Sequence, residues 1–153
     1  MSALTKPRNT PRRGPSLHSV SVFLKDGYSV FVGGLVALDG VDGYAVPGAK
    51  RTGLIAAGIY APKSGSVLSG SASEAVADGA TEIDLDCGLF DLDNGSSSDH
   101  CTIADVGALA YMLDDHTVSR LSSGASAAGR IVAVSADESA VTVQVGLPGG
   151  NLD

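Results

Sequence analysis

At 153 residues the chain has the length of one domain with its own hydrophobic core. Its formal net charge is −7, from 10 basic and 17 acidic residues. A protein with this charge repels nucleic acid and anionic membranes over most of its surface, which excludes binding to them through a broad surface. Because it has 20 glycines, 3 phenylalanines and no tryptophan, we expect many turns and small side chains. No apolar run is long enough to span a bilayer or to act as a secretory signal, which predicts a soluble protein made in a cytosol.

The first residues, from 1 to about 17, differ from the rest of the chain in charge. Four of the ten basic residues lie within the first thirteen positions, well before the first acidic residue, Asp26: Lys6, Arg8, Arg12 and Arg13. Prolines and a lack of apolar periodicity predict that this segment is a flexible arm, ordered only by a partner that its cations contact. The sequence therefore predicts an arm over 1–17, without which the body folds, and a single β-rich domain over 18–153.

The region from 18 to 80 alternates short apolar runs with glycines. "HSVSVFL" and "YSVFVGGLVAL" are rich in Val and Phe and predict strands, and the "KDG" between them is typical of a tight hairpin. "TGLIAAGIYA" predicts a further strand, whose glycines indicate a bulge or a close backbone approach. "SASEAVADGA" predicts a short helical turn near 71–78 that ends at Gly79.

From 81 to 147 the alternation of apolar and polar residues is clearest. "TEIDLDCGLF" places Ile83, Leu85 and Cys87 on one face, the pattern of a strand that is buried on one side. "GALAYML", "TVSRL", "GRIVAVS" and "AVTVQVG" follow at short intervals and predict a β-meander, with a short helical turn near 102–106. The predicted fold class is all-β, a compact small β-barrel or β-sandwich-like body with short helical turns.

One group of side chains could carry chemistry: Asp114, Asp115 and His116 lie next to each other between two alternating runs. Polar residues of this kind also reverse a chain, and a hairpin tip is convex, whereas acid–base or metal chemistry needs a concave site. We interpret the group as an exposed turn. Replacing Asp114 and His116 by alanine is then expected to change stability by no more than about 0.5 kcal/mol.

Other candidate sites lack the required spacing. The cysteines, Cys87 and Cys101, are too few for a disulfide framework and are interpreted as small buried thiols, with a zinc set completed by His100 and His116 as the alternative. "DLDNGSSSD" lacks the glycine and the glutamate of a calcium loop. No nucleophile or phosphate loop has its motif, so the sequence predicts no enzyme, no cofactor and no metal.

The stretch from 80 to 145 resembles the C-terminal part of tailed-bacteriophage capsid decoration proteins, also called cement or head-stabilising proteins. The resemblance lies in the order of its segments rather than in any one motif. These segments are a Gly-apolar-Phe step (Gly88-Leu89-Phe90), a turn that nearly matches the type I-x-x-x-D-V-G (Ile103–Gly107, which reads I-A-D-V-G), a strand with Tyr111, a "D-D-x-T-V" hairpin (Asp114–Val118), an "A-G-x-I/V-V" strand (Ala128–Val132) and a strand of alternating valines (Val141–Val145). "GLIAAGIYAP" near 53–62 resembles an earlier strand of that family.

This resemblance implies a structural virion protein with a β-tulip-like body. Members of the family bind the outer surface of the expanded icosahedral head, commonly as trimers where capsid subunits meet, and stabilise it against the pressure of packaged DNA. The expected partner is the major capsid protein, the expected state on the shell is a homotrimer, and the expected location is the virion exterior after synthesis in the host cytoplasm. Lys6, Arg8, Arg12 and Arg13 would then contact the capsid or a neighbouring subunit.

Two further functions stay open at this point. The basic arm could make the protein a small nucleic-acid-binding module, in which case DNA affinity would depend on salt. A small enzyme would need a deep pocket that holds His100 or His116 with a carboxylate.

Overall fold

The computed structural model describes residues 3–8, 10–11, 18–61, 72–74, 78–79 and 81–146. No helix in these ranges is long and apolar enough to cross a membrane. The described residues form eleven strands and two short 3-10 helices, in the order β1 (His18–Phe23), β2 (Ser29–Phe31), β3 (Leu35–Asp39), β4 (Ala45–Pro47), β5 (Leu54–Tyr60), β6 (Ala72–Glu74), β7 (Glu82–Asn94), η1 (Ser97–Asp99), η2 (Ile103–Asp105), β8 (Leu109–Met112), β9 (Thr117–Ser119), β10 (Ala127–Val134) and β11 (Ala140–Val145).

Five strands close into a barrel. Around the ring, β7 pairs with β11, β11 with β10, β10 with β8, β8 with β9, and β9 again with β7. The larger of two apolar cores includes Phe90, Met112, Val118, Ile131 and Val143 of these strands, and it also contains residues of β3, β4 and β5. The all-β, barrel-like fold class predicted from the sequence is confirmed.

The smaller core lies beside the barrel, under the strands that precede it in the chain. β1 and β5 pair with the first half of β7, and β3 pairs with both β5 and β4. β2 pairs with β6 in a separate two-stranded sheet. This second core includes Leu24, Val30, Val36, Tyr60 and Leu85.

Strand β7 belongs to both parts of the structure. The predicted alternation is confirmed, because Ile83, Leu85 and Cys87 are buried while the residues between them face outward. After Gly88 the alternation shifts by one position, so that Phe90 and Leu92 point into the barrel core. Residues 82–87 pair with β1 and residues 88–93 pair with β11.

Three sequence predictions about connectivity are wrong. The strands from β7 to β11 do not form a simple meander, because β9 lies between β8 and β7 and pairs with β7 in parallel. The "KDG" turn is present, but β1 pairs with β7 and β2 with β6, so no hairpin joins β1 to β2. In the range near 71–78, where a helical turn was expected, residues 72–74 form strand β6, while 71 and 75–77 lie outside the described residues. Each error has the same cause, since local patterns do not report the distant strand that completes the pairing.

Two local predictions are confirmed. The helical turn expected near 102–106 is η2, whose first turn is closed by a capping box between Thr102 and Asp105. The irregularity expected in "TGLIAAGIYA" is a bulge, because Val36 pairs with Gly58 while the next residue, Ala37, pairs with Ala56.

Candidate functional site

The Asp114-Asp115-His116 segment is the turn that joins β8 to β9, as predicted. The backbone N–H of Leu113 donates to the carbonyl of Thr117 across 2.9 Å and closes the turn. The predicted exposure is wrong, because Asp114 is only 4% exposed and Asp115 only 2%. The segment is therefore a covered turn and not a convex tip.

Two distant parts of the chain cover this turn. Leu35, at the start of β3, donates its backbone N–H to the carbonyl of Asp115 across 2.7 Å. From the N-terminal segment, Leu4 donates its backbone N–H to the carboxylate Oδ1 of Asp115 across 2.8 Å. Burial raises the pKa of Asp115 above its usual range, and the hydrogen bond from Leu4 opposes that rise.

The three side chains converge on a small volume. One ligand atom each from Asp114, Asp115 and His116 can be chosen so that all three lie within 4.8 Å of one another. The backbone N–H of His116 donates to Asp114 Oδ1 across 2.9 Å, and His116 Nε2 lies 3.6 Å from the same oxygen. Asp114 Oδ2 is buried and accepts no hydrogen bond.

Asp93, near the end of β7, connects this cluster to the N-terminal segment. His116 Nδ1 lies 3.0 Å from Asp93 Oδ2. The two terminal nitrogens of Arg8 lie 3.2 and 3.3 Å from the two oxygens of the Asp93 carboxylate, a bidentate pairing. Arg8, Asp93, His116 and Asp114 thus form one continuous chain of polar contacts.

The described part of the N-terminal segment lies on the body, which corrects the prediction of an arm that is free of it. Arg8 donates its backbone N–H to the carbonyl of Val32 across 2.9 Å, and the carbonyl of Pro11 accepts from the backbone N–H of Asp91 at the same distance. The Thr10 hydroxyl also donates to the carbonyl of Gly33. Prolines and missing periodicity exclude a regular strand here, but they do not exclude isolated backbone hydrogen bonds and an ion pair.

The four predicted contact residues therefore have different surroundings. Arg8 is used within the chain, because it pairs with Asp93. Lys6 is exposed to solvent. Arg12 and Arg13 lie outside the described residues. Sequence reasoning missed the contributions of Asp93 and Leu4, because neither residue belongs to a recognisable motif.

The cysteines behave as predicted. Cys87 and Cys101 are both buried and form no disulfide, and burial raises the pKa of the Cys101 thiol to about 11. Within the described ranges, the only group of three or more close ligand residues is the one at 114–116, so the alternative zinc set is not brought together. His100 instead contacts the carbonyl of Gly95 and the carboxylate of Glu138.

A surface depression of about 370 Å³ lies over β7, β10 and β11. Its lining includes Val132, Val134 and Asp91, and the Asp91 carboxylate accepts a hydrogen bond of 2.6 Å from the hydroxyl of Thr142. Neither His100 nor His116 lines it. This depression therefore lacks the histidine–carboxylate pair that the enzyme alternative requires.

No protein-family model, curated protein or solved structure matches this chain.

Proposed function

We propose that the protein is a structural virion protein that binds the outer surface of an icosahedral phage capsid and stabilises the expanded head against internal DNA pressure. In this proposal it acts as a homotrimer on the major capsid protein and catalyses no reaction. The observation that carries the proposal is that the stretch resembling the decoration proteins corresponds to one folded unit. Residues 80 to 145 include all five strands of the closed barrel.

The order of the family-like segments also has a structural basis. The Gly-apolar-Phe step lies where β7 shifts its alternation at Gly88, and the turn of the type I-x-x-x-D-V-G contains η2. The alternating valines of β11, Val141, Val143 and Val145, all point into the barrel core. Each segment thus has a distinct place in one barrel, which supports the view that the resemblance extends over the whole stretch.

The decisive experiment is attachment to a shell. Purified protein would be mixed with expanded capsids built from the major capsid protein of the same phage, and the shells would be sedimented. We expect saturable cosedimentation and a higher melting temperature of the decorated shell, because many copies on a symmetric lattice add their individual contacts. Free protein that stays in the supernatant, with shells of unchanged stability, would contradict the proposal.

The contribution of the arm can be tested with a matched pair of substitutions. Lys6→Glu reverses an exposed charge on the N-terminal segment, and Lys50→Glu reverses an exposed charge elsewhere. If the arm contacts the capsid, Lys6→Glu weakens cosedimentation more than Lys50→Glu does, and the difference shrinks as salt rises. Equal effects of the two substitutions at low salt would show that Lys6 does not contact the capsid.

The second candidate function is nucleic-acid binding through the same segment, favoured by its four cations. The bidentate pairing of Arg8 with Asp93 reduces the positive charge that is available for phosphates. A retardation experiment with duplex DNA over a range of salt concentrations separates the two functions. Strong affinity that falls steeply with salt would favour the nucleic-acid function over the capsid function.

A further inference from the structure

We propose that Asp114, Asp115 and His116 form a binding site for one divalent transition-metal ion of the Zn²⁺ class. The inference does not depend on the proposed function. The cluster supplies two carboxylates and one imidazole, whose ligand atoms lie within 4.8 Å of one another. Ligands of a tetrahedral zinc ion lie about 3.3 Å apart, given metal–ligand distances of about 2.0–2.2 Å. The 3.6 Å between His116 Nε2 and Asp114 Oδ1 is close to that separation.

The buried carboxylate of Asp114 is the observation that requires a ligand. Its Oδ1 accepts the backbone N–H of His116, but its Oδ2 is buried without any hydrogen-bond partner. A buried carboxylate oxygen without a donor is costly, and a second carboxylate next to it, that of Asp115, increases the cost. A cation between the two carboxylates removes both penalties.

The contacts of His116 give its ring the orientation of a metal ligand. An ionised carboxylate only accepts hydrogen bonds, so the 3.0 Å contact between Nδ1 and Asp93 places the ring proton on Nδ1. Nε2 is then the ring nitrogen left for a metal ion, and it lies 3.6 Å from Asp114 Oδ1. Arg8 pairs with both oxygens of the same Asp93 carboxylate. A carboxylate that orients a histidine in this way is a regular feature of zinc sites.

The ligand types favour zinc over calcium or magnesium. Ca²⁺ binds six to eight oxygens and Mg²⁺ retains several waters, whereas an imidazole with carboxylates suits Zn²⁺. A given site normally binds Zn²⁺ more tightly than Mn²⁺, so the relative affinity of the two ions is a test of the site. The side chain of His116 is 20% exposed, so solvent reaches part of the cluster.

Full-length protein, first treated with a chelator and then dialysed, would be titrated calorimetrically with ZnCl₂ and separately with MnCl₂. We expect one ion per chain, tighter binding of Zn²⁺ than of Mn²⁺, and a higher melting temperature on addition of either ion. Electron paramagnetic resonance of the Mn²⁺ titration reports bound ion directly. It therefore tests the site in the wild-type chain without any substitution.

Substitutions then locate the ion. Asp114→Asn and His116→Gln remove ligands and should abolish binding. Asp93→Asn removes the carboxylate that orients His116, together with its ion pair to Arg8, and should weaken binding by about 10- to 100-fold. His100→Gln is the matched control, because His100 also contacts a carboxylate, that of Glu138, but lies outside the cluster.

Four results would overturn the proposal. The first is a wild-type chain that takes up neither ion, and the second is Asp114→Asn that binds Zn²⁺ as tightly as the wild type. The third is loss of binding in His100→Gln with retention in His116→Gln. The fourth is a melting temperature that rises on acidification but does not change when either metal ion is added. That result would mean that Asp114 Oδ2 carries a proton rather than a metal ion.

Discussion

The backbone N–H of Leu4 donates to the carboxylate of Asp115 across 2.8 Å, joining residues that are 111 positions apart in the chain. This hydrogen bond makes the N-terminal segment part of the cover over the β8–β9 turn. It also bears on an expectation from the sequence, namely that the body folds without its first residues, which a truncated chain would test.

Deletion of residues 1–17 should lower the stability of the free protein. The deletion exposes Asp115 and removes the ion pair between Arg8 and Asp93, together with the backbone hydrogen bonds of Arg8 and Pro11. We expect a loss of about 1–3 kcal/mol in the free energy of unfolding, measured by urea denaturation. Lys6→Ala, at an exposed position of the same segment, serves as the control and should have little effect. A truncated chain as stable as the full one would show that these contacts contribute nothing.

His116→Ala should destabilise the protein by more than an exposed turn substitution would. The ring contacts both Asp93 and Asp114 and is only 20% exposed, so its removal leaves two carboxylates with fewer partners. We expect about 1–2 kcal/mol in chelator-treated protein, against about 0.5 kcal/mol or less for an exposed turn residue. Urea denaturation of the variant beside the wild type gives the difference. A loss within the range of exposed turns would restore the interpretation made from the sequence.

The pair formed by His100 and Glu138 should make stability depend on pH. The hydrogen bond to the Glu138 carboxylate, followed by that to the Gly95 carbonyl, raises the pKa of His100 above its usual 6.5. A raised pKa stabilises the fold fully below the unfolded-state value, and this contribution is lost as pH rises through the folded-state value. Glu138→Gln should therefore lower the melting temperature at pH 5.5 and have a smaller effect at pH 9. The reverse order of these effects would contradict the assignment.

Asn94 should be intolerant of substitution, although no motif marks it. Its amide donates to the carbonyls of Cys101 and Glu138 across 2.9 and 2.8 Å, and its oxygen accepts the backbone N–H of Cys101 across 2.8 Å. Asn94→Ala removes all three hydrogen bonds, so we expect a loss of about 2–4 kcal/mol. Asn94→Asp keeps the acceptor but loses both donors, and it should be nearly as harmful in a thermal melt. Unchanged melting of both variants would refute this role.

Gly129 should not accept a side chain. A Cβ atom at this position would lie 1.9 Å from the backbone carbonyl oxygen of Gln144 on the neighbouring strand, β11. Gly129→Ala must therefore separate β10 from β11, and we expect a loss of more than about 3 kcal/mol or no folded protein. Gly124→Ala is the control. Gly124 also has a positive φ, but a Cβ atom at this position would meet no atom within 4 Å, so this variant loses a glycine without a steric clash. The two variants should differ clearly in soluble yield and in melting temperature.

The sequence predicted those parts of the structure that depend on neighbouring residues. Alternation at Ile83, Leu85 and Cys87 identified a strand buried on one side because side-chain direction repeats every two residues. The turn at 114–116 was predicted for a similarly local reason. The burial of Asp115 could not be predicted, because it depends on hydrogen bonds from Leu4 and Leu35, which are far away in the chain. The same limit hid the pairing of β1 with β7 and the parallel pairing of β9.

The shift of alternation at Gly88 has a mechanical consequence. The first half of β7 is buried in the smaller core and the second half in the barrel core, so one unbroken backbone passes through both. Tension between the two halves of the molecule is then borne by covalent bonds along that strand rather than by a side-chain interface alone. To pull the halves apart, β1 or β11 would have to separate from β7, and the backbone pairing along that strand would break at the same time.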